Sequence, residues 1–376
     1  MNCVNVAHSI QQRRTKATSK IMLQKFKKIA LEEARITIKE HPDLMAFFVY
    51  GSVARGNPTQ SSDIDSISIL KGISTPFFRV AKRDNVLISK EFHPKEYYQN
   101  IERLTHRVYD AWIIYDTCGF LSERQQKLFS YFYTPAAKKK RIAEHLVLAE
   151  RDLEKSMLAI TKDNSSVPLH LRSFGEHIGM VLHEIVEWSP SMRRFICRMH
   201  EISQELDDED IYTDLIDILG YGEFSTRWMR QAITGAEGLQ KLMYGYSLDK
   251  EFVNDRDILH PFLVQEYTNG TRELSNVSEK SCLFPCQLYA SMVLFRRNPM
   301  MRTFFKRRGK NCEMESDKPD YIENLQRLGF PSEFFGYHSA IFGTEICGKR
   351  ELTRRIRIAQ KYLRSMKELV KEKTGG

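Results

Sequence analysis

The stretch FFVYGSVARGNPTQSSDIDSISIL, residues 47–70, constrains the fold more than any other part of the chain. An apolar run ending at Tyr50 meets Gly51-Ser52, a short polar loop follows, and Asp63-Ile64-Asp65 enters a second apolar run. Apolar runs of this length, bounded by glycine and polar residues, read as buried strands. Side chains alternate along a strand, so carboxylates two residues apart project from one face. Like charges held that close repel unless a cation lies between them. A hard divalent ion with oxygen ligands suits the place, and magnesium usually brings phosphate with it. The Gly-Ser turn offers backbone N–H groups and a hydroxyl to such a phosphate. The alternative, a solvated turn with two exposed acids, accounts poorly for Ile64 alternating with them and for SISIL continuing the strand.

The chain has 376 residues, 42% of them hydrophobic and 28% charged, which is ordinary for a globular protein and long for a single core. No apolar run approaches the ~20 residues that span a bilayer, so no membrane partner is expected. The first twenty residues lack the apolar core of a secretory signal. They are basic and free of acids, as an organelle transit peptide is, but a frayed leader is the expectation. Seven scattered cysteines, an odd number, argue against a disulfide framework and for a reducing cytoplasmic location. Cys282 and Cys286 are one helical turn apart with no histidine cluster to complete a zinc site, so they read as buried thiols. The net charge of +9 favours a polyanionic partner, whether a nucleotide triphosphate, RNA or an acidic surface.

Residues 21–40 carry an apolar stripe of helical period, stopped at His41-Pro42-Asp43. Strands are expected over 44–50, 64–70, 85–92 and 111–115, with a helix opening at His93-Pro94-Lys95-Glu96. Helix and strand thus alternate through about residue 120, an α+β module with a small mixed sheet. From Leu121 onward the pattern is mainly helical, with Thr134-Pro135 separating two helices and another over 167–188. Residues 269–281 are the best linker candidate. The expected organisation is 1–120, a helical region 121–275 that binds the acceptor, and a helical region 276–376.

Gly51-Ser52-Val53-Ala54-Arg55-Gly56 followed by Ser62-Asp63-Ile64-Asp65 resembles the signature of the DNA polymerase beta-type nucleotidyltransferase superfamily. The loop length is similar to that of the minimal nucleotidyltransferases and the antibiotic nucleotidyltransferases. The resemblance covers about residues 44–116. It implies that Asp63 and Asp65 hold two magnesium ions bridging the phosphates of an NTP, by default ATP, and the incoming hydroxyl. It implies that Gly51 lets the backbone approach the phosphates, that Ser52 bonds their oxygens, and that a third carboxylate lies on a later strand. Glu91 is favoured for that position, as metal ligand and catalytic acid, over Asp84, which reads as a turn residue. Arg55 either neutralises triphosphate charge or pins the loop. Glu184, in an apolar helical surround, is a candidate general base or a satisfied partner of a lysine or arginine.

Weaker signals surround this core. Arg172 to His177 has the Arg-x4-His form of some helical ribonuclease domains, with packing the favoured role for His177. Basic clusters at Lys138–Arg141, Arg296-Arg297, Lys306–Lys310 and Arg354–Arg357, some flanked by Phe295, Phe304 and Phe305, suit either an RNA groove or solvated helix faces. The function expected is Mg-dependent transfer of an NMP from an NTP to a hydroxyl of a small molecule such as an antibiotic. A cationic aminoglycoside acceptor would draw on the acidic run Glu205–Asp210. The alternatives are a toxin or regulator modifying tRNA or a protein, and a non-catalytic nucleotide-binding scaffold.

Overall fold

The computed structural model describes residues 3–162, 165–223, 225–246, 261–275, 283–295, 305–306, 309, 318–344 and 347–374. The chain divides into two compact units, Met1–Phe132 and Tyr133–Gly376. The architecture is α+β, with a five-stranded mixed sheet and flanking helices in the first unit and helices throughout the described second unit.

In the first unit, helix α1 (Cys3–Glu40) precedes strand β1 (Leu44–Tyr50), the single turn α2 (Gly51–Ala54) and strand β2 (Ile64–Leu70). A hairpin of β3 (Phe77–Arg83) and β4 (Val86–Pro94) follows, then the short helix α3 (His106–Tyr109), strand β5 (Trp112–Asp116) and helix α4 (Phe120–Tyr131). The strand order is β3-β4-β2-β1-β5, parallel between β2 and β4 and antiparallel elsewhere.

Period-two alternation sorts this sheet into two chemically distinct faces. Phe47, Val49, Ile64, Leu70, Ile88 and Phe92 lie on one face and form a buried core with Phe26, Ile29, Ala30 and Ala34 of α1. The same helix buries Glu33 against the sheet, where Lys90 and Arg83 (2.7 Å) neutralise it. Burial alone would raise the Glu33 pKa, but those two cations win and lower it. The registers Tyr50↔Asp65, Asp65↔Ser89 and Ile67↔Glu91 place Tyr50, Asp65, Ser89 and Glu91 together on the opposite face. The strand that buries Ile64 on the core side therefore presents Asp65 on the other.

Strands β1 and β2 occupy the spans expected from sequence, whereas four other expectations need correction. Strand β3 was not anticipated. Its signal was Asp84-Asn85, whose φ values of 48° and 64° form the two-residue left-handed turn that closes a hairpin. The helix expected at His93-Pro94-Lys95-Glu96 is a 3-10 turn over Lys95–Tyr98, with Pro94 ending β4. Helix α1 begins at Cys3, so the stretch expected to be a frayed leader is helical. Residues 269–275 of the expected linker belong to helix Pro261–Ser275; the rest of it, 276–281, lies outside the described residues. Thr271, inside that segment, satisfies its hydroxyl on the Tyr267 carbonyl, a route open to a buried helical hydroxyl.

In the second unit, helix α5 (Pro135–Lys162) packs along α6 (Val167–Val186). Helix α6 is buried on nearly every side, the signature of a central helix. Gly179 lets the Phe195 ring of the helix Phe195–Glu205 press against α6, where a Cβ would overlap it. The last helix, Lys349–Thr374, packs on α5 and on helix Asp210–Leu219. It buries Arg355, whose Nε donates to the Ile218 carbonyl at 2.8 Å. Cys286 is buried beside Thr271; Cys282 lies outside the described residues. No helix among the described residues is long and apolar enough to cross a membrane.

Phe47 is fully buried between the sheet and α1. Phe47→Ala is expected to lower the unfolding free energy of the first unit by about 3–5 kcal/mol, read as a lower urea midpoint by circular dichroism.

Candidate functional site

The polypeptide reverses sharply where β1 ends. Tyr50 is extended, and Gly51 turns to a φ of 73°, a left-handed conformation that costs a side chain dearly and glycine little. The reversal brings the Gly51 Cα against the acidic side chain of β2. A Cβ on Gly51 would lie 2.6 Å from Oδ2 of Asp65. The Asp65 carboxylate thus occupies the space that the missing side chain leaves.

The loop is held shut by its own polar groups. The amides of Arg55 and Asn57 donate to the Gly51 and Ser52 carbonyls at 3.1 and 3.0 Å. The Ser52 hydroxyl donates to Ser62 Oγ at 3.2 Å, which also accepts the Thr59 amide at 2.8 Å. Ser62 is buried and immediately precedes Asp63, so this clasp sets the start of β2. Arg55 ion-pairs with Asp110 at 3.4 Å and thereby ties the loop to the segment after α3, the second of the two roles considered for it. Asp63 and Asp65 are both half-buried, and Asp63 makes no side-chain hydrogen bond or ion pair among the described residues.

Glu91 is on the same sheet face, one strand period further along β4, and it is fully engaged. Its Oε1 accepts from the Tyr50 hydroxyl at 2.7 Å and from Arg107 Nη1 at 3.0 Å. Its Oε2 faces His93 Nε2 at 3.0 Å and Arg107 Nη1 at 3.1 Å. His93 Nδ1 lies 2.7 Å from the Tyr98 hydroxyl. The His93 ring thus bridges the two, with Nε2–H donating to Glu91 and Nδ1 sharing a hydrogen bond with the Tyr98 hydroxyl. Burial would raise the Glu91 pKa, but the hydrogen bond from His93, the charges of Arg107 and His93 and the Tyr50 hydroxyl bring it down to about 2. The Tyr50 hydroxyl is driven the other way, by burial and then by the negative charges of Asp65 and Glu91. The Arg107 guanidinium lies over the Tyr50 ring, 5.0 Å from its centroid. The Asp65 charge acts on it too, so Arg107 belongs to the same electrostatic neighbourhood.

The structure therefore brings Gly51, Ser52, Asp63 and Asp65 to one end of the β1–β2 pair. It does not assemble Asp63, Asp65 and Glu91 into a ligand set: no cluster of three or more His, Cys, Asp or Glu side chains suited to a metal ion occurs among the described residues. The donors divide accordingly. The Asp63–Asp65 couple fits a hard divalent cation, because it offers two anionic oxygen groups two residues apart at the strand end where Gly51 turns. Glu91 does not fit as a ligand, since all four of its lone-pair directions are taken. Asp84, the other acid weighed for the third position, is in the β3–β4 turn.

The remaining candidates lie in the second unit. Glu184 is 2% exposed and forms a fork with Arg141, Nε to Oε1 at 2.8 Å and Nη2 to Oε2 at 2.7 Å, the alternative considered for that residue. Arg172 pairs with Glu176, and His177 is 3.6 Å from the buried Asp152. Lys138 pairs with Glu187 at 2.7 Å, and Arg354 with Asp217 and Glu351 at 3.0 and 2.8 Å. Phe305 is buried, while Arg296, Arg297, Phe304 and Lys310 lie outside the described residues. The acidic run Glu205–Asp210 joins the helix Phe195–Glu205 to Asp210–Leu219, with Asp208 Oδ1 accepting the Asp210 amide at 3.1 Å.

Tyr50, His93 and Arg107 were not anticipated as site residues. Tyr50 was legible in principle, since it is the last strand residue before the Gly-Ser turn. Arg107 carries no such mark, because it joins Glu91 only through tertiary structure.

No family model matches the sequence, and no curated protein matches it. Among solved structures, the chain is similar to a nucleotidyltransferase-like protein from Exiguobacterium sibiricum 255-15, with 15% identity, a TM-score of 0.32, and coverage of 77% of this chain and 92% of that one. At that level of likeness the functional reading rests on the site's own geometry.

Two outcomes test this geometry. Gly51→Ala forces both a strained φ and displacement of Asp65, and is expected to destabilise the protein by about 1–3 kcal/mol, read as a lower urea midpoint. Gly56→Ala, whose Cβ would meet only a leucine methyl at 3.8 Å, carries backbone strain alone and is expected to lower the midpoint less. Glu91 has a folded-state pKa of about 2 against an ordinary 4.5. Its stabilisation is complete above that ordinary value and is lost as pH falls toward 2. The stability of Glu91→Gln, followed by chemical denaturation, is accordingly expected to depend less steeply on pH across that window than the wild type's.

Proposed function

We propose that this protein is a nucleotidyltransferase whose first unit binds an NTP, by default ATP, with a divalent cation such as Mg2+ and transfers the NMP group to an acceptor hydroxyl. One observation carries the reading: the Asp65 carboxylate packed against the left-handed Gly51, with Asp63 just ahead of the same strand. A glycine whose missing side chain makes room for an acid, at a strand end next to a hydroxyl residue, suits a site where cation and phosphate meet. In the reaction the acceptor oxygen forms a bond to the α-phosphorus while the bond from that phosphorus to the bridging oxygen breaks. Pyrophosphate leaves, and the hydroxyl proton passes to a base. The cation, when bound, supplies charge neutralisation to the phosphates. Asp63 and Asp65 would hold it, and the Gly51-Ser52 turn would orient the phosphate chain. Glu184 stays outside this scheme, because it would have to abandon Arg141 to accept a proton.

The acceptor favoured is a small molecule such as an antibiotic. The basic residues that suit an RNA groove are in part spent within the protein: Lys138, Arg141 and Arg354 are ion-paired and Arg355 is buried. Modification of tRNA or of a protein is the alternative acceptor class. A second reading, nucleotide binding without transfer, draws on the saturation of Glu91 by Tyr50, His93 and Arg107.

Incubating the protein with each α-labelled NTP, Mg2+ and separate pools of aminoglycosides, tRNA and protein distinguishes these readings. Label in the small-molecule pool, reduced at least about 100-fold in Asp63→Asn, is the expected result. Nucleotide binding with no labelled pool and no pyrophosphate would establish the scaffold instead.

A further inference from the structure

The acidic face contains one cation already, and it is covalently part of the chain. Arg107 reaches Glu91 through Nη1 alone, at 3.0 and 3.1 Å. Its Nη2 and Nε make no hydrogen bond among the described residues. The side chain is half-exposed, at 50%, and is steadied by the Tyr50 ring beneath it. A guanidinium anchored at one nitrogen, with its other donors open, is arranged to accept an anion.

Glu91 tells the same story from the acid's side. Tyr50, His93 and Arg107 together fill both oxygens. Tyr98 holds the His93 ring so that Nε2 points at the carboxylate. For Glu91 to bind a metal, one of these charged hydrogen bonds would first have to break. Asp63, by contrast, has no partner to give up. The two acids are therefore not equivalent members of one ligand set.

We infer that the site takes a single divalent cation, at Asp63 and Asp65, and that Arg107, held by Glu91, supplies the second positive charge to the phosphate chain of the bound nucleotide. This deepens the proposed function and rests on it. Arg107 acts as a phosphate-binding residue, and Glu91, Tyr50 and His93 act as its positioning residues.

The test is the number of Mn2+ ions bound per chain, counted by electron paramagnetic resonance on the full-length protein with a saturating non-hydrolysable ATP analogue. The signal of Mn2+ with the analogue alone is subtracted. One ion per chain is expected, retained in Glu91→Gln and lost in Asp63→Asn. Arg107→Ala is expected to keep that ion while weakening the analogue roughly 10- to 100-fold, with Arg107→Lys in between. Should Arg107→Ala fail to fold, the Glu91→Gln count still decides the matter. Two ions per chain, one of them lost in Glu91→Gln, would overturn the inference and leave the proposed function standing. No Mn2+ on the wild type would overturn both.

Discussion

The site depends on a steric exclusion at one backbone position. Gly51 has a φ of 73°, and the Asp65 carboxylate lies where any other residue's Cβ would be. That contact couples the end of β1 to the start of β2 more tightly than the ladder between them requires. It presents an acid to a backbone turn, within the electrostatic reach of Arg107. The clasp among Ser52, Thr59 and Ser62 then fixes the loop length, and Arg55 with Asp110 fixes its direction.

Around that contact the sheet separates two kinds of chemistry by alternation alone. One face is closed by α1 and neutralised at Glu33 by Lys90 and Arg83; the other carries Asp65, Glu91 and Tyr50. The acids do not collapse onto one another, because each has a separate electrostatic arrangement. Glu91 is held as an anion by fixed cationic and hydroxyl donors, while Asp63 is left available.

The second unit is organised by burial. Helix α6 has almost no exposed face, and charged side chains that would be isolated there are paired: Glu184 with Arg141, Ser166 with Glu323, Arg355 with a backbone carbonyl. A buried ionic pair such as Glu184–Arg141 adds little net stability over apolar packing of the same volume. They also account for basic residues that composition alone would assign to a polyanion.

The amino-acid sequence by itself determined the strands at 44–50 and 64–70, the turn between them and the change to helix after residue 120. Each of these follows from local rules: period-two alternation, glycine's freedom and helical periodicity act over a few residues. Strand β3 was also written locally, in the Asp84-Asn85 turn, but in a cue easily passed over. Only the tertiary structure decided the state of Glu91. Its neighbours Tyr50 and Arg107 are 41 and 16 residues away along the chain, and no spacing rule reaches that far. The same holds for Glu184, whose arginine is 43 residues distant. A carboxylate's chemistry is set by what surrounds it, and what surrounds it is settled when distant segments pack.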